Sequence, residues 1–282
     1  MVLTPLPRVM VEPLVRAALI EDLGRAGDLT TDAIVPADST ATMVLAARQP
    51  GVIAGLDVAA LAFELIDPRT EIAVVHADGS AVAAGDVVAT VRGSARALLT
   101  AERTALNFLC HLSGIATQTA AVVEAVRDHK AKIVCTRKTT PGLRALEKYA
   151  VRAGGGANHR FGLDDALLIK DNHIAIAGDI STAIERARAT AGHMVKIEVE
   201  VDTLEQLDIA LAANVDAVLL DNMSVEQMTE AVATVGRRAI TEASGRVTAQ
   251  TAPAIAATGV DLISVGWITH SAPILDIGLD CR

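Results

Sequence analysis

Aromatic residues are nearly missing from this chain: three Phe, one Tyr and one Trp make up 2% of its 282 residues, while 51% are hydrophobic. The core must be filled by Ala, Val, Leu and Ile, which suits helices packed on buried strands and excludes a disordered or collagen-like chain. Cysteine is scarce too. Cys110, Cys135 and Cys281 are odd in number, far apart and form no C-x-x-C pair. Neither a disulfide framework nor structural zinc is expected, and the compartment reads as a reducing one, the cytoplasm. Positive charge is short: 25 Lys and Arg face 34 Asp and Glu, a net charge of −9. That field repels nucleic acid and anionic membrane surfaces, so neither is an expected partner, and an anionic ligand needs a local basic pocket. The longest run free of Asp, Glu, Lys and Arg, residues 104–123, carries Asn107, His111, Ser113 and Gln118, so no membrane span is expected. Residues 1–16 show neither a long apolar segment nor a small-residue cleavage site.

At ~150 residues per domain, the length fits two units or one barrel with an appendage. Leu14, Val15, Ala18, Leu19 and Leu23 have helical spacing and stop at Gly24. Beyond Thr40, β-like runs at 43–46, 71–76 and 87–91 surround an apolar helix near 56–66, a small α/β domain. Ser94 reads as the N-cap of a helix to Leu112, and a second helix follows Gly114 to about Asp128. After Lys130 a rhythm of apolar run, turn and amphipathic helix predicts strands at 132–137, 166–170, 195–201, 216–221, 239–243 and 262–265. That alternation implies a parallel sheet, most simply a β/α barrel.

The predicted strands all end in polar or glycine residues: Arg137-Lys138, Lys170-Asp171, Glu198 and Glu200, Asp221-Asn222, Ser244-Gly245 and Gly266. In a β/α barrel this rim is where the active site is assembled. Arg137, Lys138, Thr139 and Thr140 suit phosphate or carboxylate, or form an ordinary polar strand end. Gly154-Gly155-Gly156 reads as a linker or as an anion-binding loop delivering His159 and Arg160. Lys170 is one of only six lysines, a candidate Schiff-base nucleophile or a cation for an anionic ligand. Glu198 and Glu200 share one strand face, either the barrel interior or the exposed side of an edge strand. With Asp221 they offer carboxylates of the kind that hold Mg²⁺ together with substrate phosphates. Ser244-Gly245 and Gly266 match late-strand phosphate loops or plain turns. His270 is a turn cap or a lesser candidate. Residues 79–92 resemble the turn of a biotinyl or lipoyl carrier, but no lysine precedes Lys130, which excludes that reading.

These motifs, with Glu102-Arg103, residues 104–107, 112–117, 136–139 and 154–160, Leu168-Ile169-Lys170-Asp171-Asn172-His173 and Thr269-His270-Ser271, closely resemble the quinolinate phosphoribosyltransferase family. The likeness runs from Glu21 to the C-terminus. It implies an α/β protein with an N-terminal sandwich domain (1–112, with 273–282 packed on it) and an incomplete, roughly seven-stranded β/α barrel (113–272). It also implies a homodimer, Mg²⁺, and transfer of phosphoribosyl from phosphoribosyl pyrophosphate to quinolinate. The products would be nicotinate mononucleotide, pyrophosphate and CO₂, in de novo NAD biosynthesis. By matching position, Thr136, Arg137, His159, Arg160 and Lys170 would bind quinolinate, with Arg103 donated by the partner subunit. Lys138, Glu200 and Asp221 would serve the phosphoribosyl and Mg²⁺-pyrophosphate side, with Lys170 among the catalytic groups. Thr139, Ser244, Gly245, Gly266 and His270 would hold phosphate. Trp267, where the family pattern favours a small residue, and Cys110-His111 depart from the pattern. Three rivals remain: a paralogous phosphoribosyltransferase for another base, a Schiff-base barrel aldolase using Lys170, and a non-catalytic phosphate-binding module.

Overall fold

The computed structural model describes residues 3–281. The first part of the chain holds α1 (Arg8–Leu23), α2 (Leu29–Ile34), β1 (Thr40–Ala47), β2 (Gly51–Val52), α3 (Leu56–Ile66), β3 (Glu71–Val74), β4 (Ala81–Val82), β5 (Val87–Ser94) and α4 (Ala95–Ala125). There follow β6 (Lys132–Val134), α5 (Arg144–Ala153), β7 (Leu167–Ile169), α6 (Asp171–Ala177), α7 (Ile180–Thr190), β8 (Ile197–Val201), α8 (Leu204–Ala212) and β9 (Ala217–Asp221). The last elements are α9 (Val225–Val235), β10 (Ile240–Ser244), α10 (Ala252–Ala257), β11 (Leu262–Ser264), α11 (Trp267–His270) and β12 (Ile277–Cys281). The chain divides into two compact units: Met1–Ala120 with Thr140–Gly155 and Thr269–Arg282, and Ala121–Thr139 with Gly156–Ile268.

In the first unit an antiparallel sheet runs in the order β12-β1-β5-β3, so the C-terminal strand joins the N-terminal half, Met43 facing Cys281. The expected pair of helices around Gly114 is instead one helix of 31 residues, α4. Gly114 is not a break there. A Cβ on it would stand 2.2 Å from the carbonyl oxygen of Pro273, so the helix gives up roughly 1 kcal/mol of propensity to let another backbone approach. By length and composition α4 could cross a membrane, yet 61% of its most apolar window is buried inside the protein, as in a core helix. His111 on this helix bonds the fully buried Glu147 of α5, Nε2 to Oε1 at 3.0 Å.

The second unit is a parallel sheet in the order β6-β11-β10-β9-β8-β7. A single bridge from Val134 to Ala157 stands at the free edge of β6, so six laddered strands plus one bridging residue make up the incomplete barrel. Two aspartates just before strands hold the register from below. Asp216 accepts from the Ile197 amide at 2.9 Å, and Asp261 accepts from the Thr241 amide at 2.9 Å. Three of the helices start on side-chain caps: Asp179 accepts from the Thr182 amide, Thr203 from Gln206 and Ser224 from Gln227. The helix after Gly245 opens at Ala252, because Thr248 and Thr251 first close a turn by exchanging amide-to-hydroxyl bonds at 2.9 and 3.2 Å.

Candidate active site

Because the sheet is parallel, the C-terminal ends of its strands lie along one edge, and the expected residues of the second unit stand there. Thr136, Arg137, Lys138 and Thr139 follow β6; Lys170 follows β7; Glu200 is next to last in β8. Asp221 and Ser244 close β9 and β10 as register partners, and Gly245 and Gly266 come just beyond β10 and β11. Arg103 and His270 belong to the first unit. Arg103 lines a cleft of about 300 Å³ with Asp22, Asp28 and Thr100, and His270 Nδ1 is 2.6 Å from Ser271 Oγ.

The alternation of β8 settles the question over its carboxylates. Ile197, Val199 and Val201 are buried, Glu198 and Glu200 share the opposite face, and β8 lies between β7 and β9 rather than at an edge. Glu200 accepts a hydrogen bond from Lys170 Nζ. Glu198 is 2.9 Å from His159 Nε2. The other nitrogen of that ring, Nδ1, accepts from the Arg160 amide at 2.7 Å. An accepting Nδ1 leaves the proton on Nε2, so the ring donates to Glu198. Arg160 Nη1 donates to the Ala166 carbonyl at 2.9 Å. Burial and the neighbouring Arg137 guanidinium pull Arg160 below the usual arginine value, with Asp165 and Glu198 opposing. Arg137 Nε is buried without a hydrogen-bond partner among the described residues. A buried guanidinium that also feels a second like charge calls for an anion from outside.

One member of the cluster was missed in the sequence. Glu242, in the middle of β10, is 1% exposed, and its Oε2 lies 3.6 Å from His159 Nε2. A charged residue in the middle of an expected strand is the available signal. Burial and then the Glu198 carboxylate push its carboxyl up to about 8, with His159, the Ser264 hydroxyl and Lys170 opposing. The ligand-type atoms of His159, Glu198 and Glu242 lie within 4.8 Å of one another, but an imidazole that donates through Nε2 and accepts through Nδ1 has no lone pair left for a metal. The pair Glu200 and Asp221 is the better match to Mg²⁺. Their donors are hard carboxylate oxygens on adjacent strands, and Asp221 is oriented by Asn222 Nδ2 at 2.6 Å.

Backbone shape does the rest. Asn222, Gly245 and Arg246 all have positive φ, at 53°, 116° and 42°. A Cβ on Gly245 would come 2.5 Å from Asn222 Oδ1, and one on Gly266 would come 3.0 Å from Lys138 Cδ. The indole of Trp267 donates to the Val247 carbonyl at 2.8 Å, so its bulk is tied to the β10–α10 connection.

A parallel β/α barrel with lysines, arginines and carboxylates at its strand ends defines an enzyme class that handles polyanionic substrates at the barrel mouth. Residues 28–113 match the model of the quinolinate phosphoribosyl transferase N-terminal domain and residues 115–280 that of the C-terminal domain. The chain therefore belongs to the quinolinate phosphoribosyl transferase family. It is 51% identical to the nicotinate-nucleotide pyrophosphorylase [carboxylating] of Mycobacterium leprae over 94% of this chain and 95% of that one. It is 44% identical to the probable enzyme of that name from Bacillus subtilis, over 96% and 93%. The crystal structure of NadC from Streptococcus pyogenes superposes with a TM-score of 0.95 at 44% identity, covering 99% of each chain.

Proposed function

We propose that this chain transfers phosphoribosyl from phosphoribosyl pyrophosphate to quinolinate with decarboxylation, releasing nicotinate mononucleotide, pyrophosphate and CO₂. Family membership supports the reaction, and the like charge that Arg137 places on the buried Arg160 supports the dicarboxylate. In a protein of net charge −9, holding two cations together costs energy that a dianion recovers. Lys170 and Thr136 complete the carboxylate pocket, and His159 enters it through the Arg160 backbone. Arg103 is read as the contribution of a second copy of the chain, making the working form a homodimer.

Breaking the ribose C1 bond to pyrophosphate builds positive charge on the sugar. Glu200 and Asp221, at the ends of adjacent strands, stabilise that charge, while Lys138 binds the departing diphosphate. Bound Mg²⁺, held by Glu200 and Asp221 directly or through water, would neutralise the leaving group. Thr139, Ser244, Gly245 and Gly266 are assigned to phosphate. Once the ring nitrogen carries ribose, the cationic pyridinium takes up the electrons left as the adjacent carboxylate departs. The retained carboxylate keeps its guanidinium clamp. The reducing character of the cysteine set supports a cytoplasmic enzyme.

The deciding experiment is CO₂ release from carboxyl-labelled quinolinate with phosphoribosyl pyrophosphate and Mg²⁺, run beside nicotinate and other pyridine carboxylates. Quinolinate-dependent release is expected. Turnover of another base without CO₂ would favour the paralogous transferase, and borohydride trapping of a carbonyl substrate on Lys170 would favour the aldolase.

A further inference from the structure

Glu242 has no role in the reaction just described, yet it occupies an expensive position. Its register partners are Leu219 and Leu262, its side chain is 1% exposed, and neither carboxyl oxygen has a hydrogen-bond partner among the described residues. The Ser264 hydroxyl, which faces this carboxyl, donates to the Ala243 carbonyl at 3.2 Å. A buried carboxyl left in this way costs stability, so its retention needs a purpose that packing does not supply. What it faces is the back of the anion pocket. His159 Nε2 lies 3.6 Å away, and the same nitrogen donates to Glu198 at 2.9 Å while Nδ1 receives the Arg160 amide.

We infer that Glu242 is a positioning residue for the dicarboxylate, acting through His159 and Arg160 without touching substrate. This rests on the reading of Arg160 as a carboxylate ligand. The charged groups that face Glu242 are Glu198 from β8, His159 from the segment after Ala157, and Lys170 after β7; β9 and β11 present Leu219, Leu262 and Ser264. With its proton on, Glu242 leaves Glu198 as the single negative charge behind the His159 ring, which then keeps its bond to Glu198 and its hold on the Arg160 amide. When the proton leaves, a second carboxylate competes with Glu198 for His159 Nε2 and disturbs the ring that holds the Arg160 backbone through Nδ1. Burial and the Glu198 carboxylate set that loss near 8.

The test is the pH dependence of the two Michaelis constants, measured separately from pH 6.5 to 9 on the intact enzyme with Mg²⁺. For the wild type, KM for quinolinate is expected to rise about tenfold between pH 7 and 9, with KM for phosphoribosyl pyrophosphate changing less than about twofold. Glu242→Gln, which keeps the shape and cannot ionise, is expected to lose that rise, and Glu242→Asp to keep it with a shifted midpoint. If the Gln variant and the wild type give superimposable profiles, or if both KM values climb together, the inference is overturned. Arg160→Lys separates this failure from that of the underlying reading. An unchanged quinolinate KM in that variant removes Arg160 from the pocket, whereas a raised KM beside an unaltered Glu242→Gln profile overturns only the role of Glu242.

Discussion

Lys170 and Glu200 are bonded across neighbouring strands. The parallel register that sets Leu168 beside Glu198 and Ile169 beside Val199 brings Lys170 level with Glu200, and Lys170 Nζ donates to Oε2 of the glutamate. The carboxylate is largely enclosed, at 12% side-chain exposure, while the ammonium is 44% exposed. The bond therefore orients the glutamate and leaves the lysine in reach of an incoming anion.

Lys170→Ala and Glu200→Gln should each lower kcat/KM by about 10²- to 10³-fold, and the double variant should lose much less than the product of the two. Melting temperatures should fall little, since both groups lie at the rim. A double-mutant cycle on kcat/KM, read beside thermal melts, is the measurement. Multiplicative losses would mean that the two residues act independently.

Gly245→Ala should be costly in a particular way. The glycine holds φ at 116°, and a methyl group would arrive 2.5 Å from Asn222 Oδ1. A stability loss of about 1–2 kcal/mol is expected from strain, with KM for phosphoribosyl pyrophosphate rising more than KM for quinolinate. Equal rises would place the loop outside the phosphate pocket.

Glu242 should also mark the pH dependence of stability. Its carboxyl is raised in the folded state by burial and by Glu198, so between the ordinary carboxylate range and about 8 the folded protein holds a proton that the unfolded chain has released. Its contribution is complete below the unfolded pKa and is lost as pH rises through the folded one, at up to about 1.4 kcal/mol per pH unit. Glu242→Gln should therefore gain stability relative to the wild type as pH goes from 5 to 8, measured by denaturant unfolding. A constant difference across that range would contradict the assignment.

Arg103 can be checked by complementation. If it serves the site of a second copy, inactive Arg103→Ala and Arg137→Ala chains should regain up to about a quarter of wild-type activity when dissociated together and reassembled, because a mixed dimer restores one intact site. No recovery on mixing would confine Arg103 to its own chain.

Much of this molecule is written locally. The barrel strands could be placed within a few residues because apolar runs alternate with capped amphipathic helices, and each run ends in the polar residues that mark the rim. Glu198 and Glu200 were legible as a same-face pair from their spacing alone. Helix boundaries were less secure: Gly114 imitates a stop signal, although it exists to admit the Pro273 carbonyl, a contact between residues far apart in the chain.

The amino-acid sequence alone determined the βα rhythm, the inventory of cations and carboxylates, and their order along the strands, because periodicity and spacing are properties of neighbours. Tertiary structure alone decided that His159 is shared between Glu198 and the Arg160 amide, that the Arg137 charge acts on Arg160, and that Glu242 is buried beside His159. Those relations depend on which strands lie side by side and on how far water is excluded between them, and no local pattern of residues encodes either.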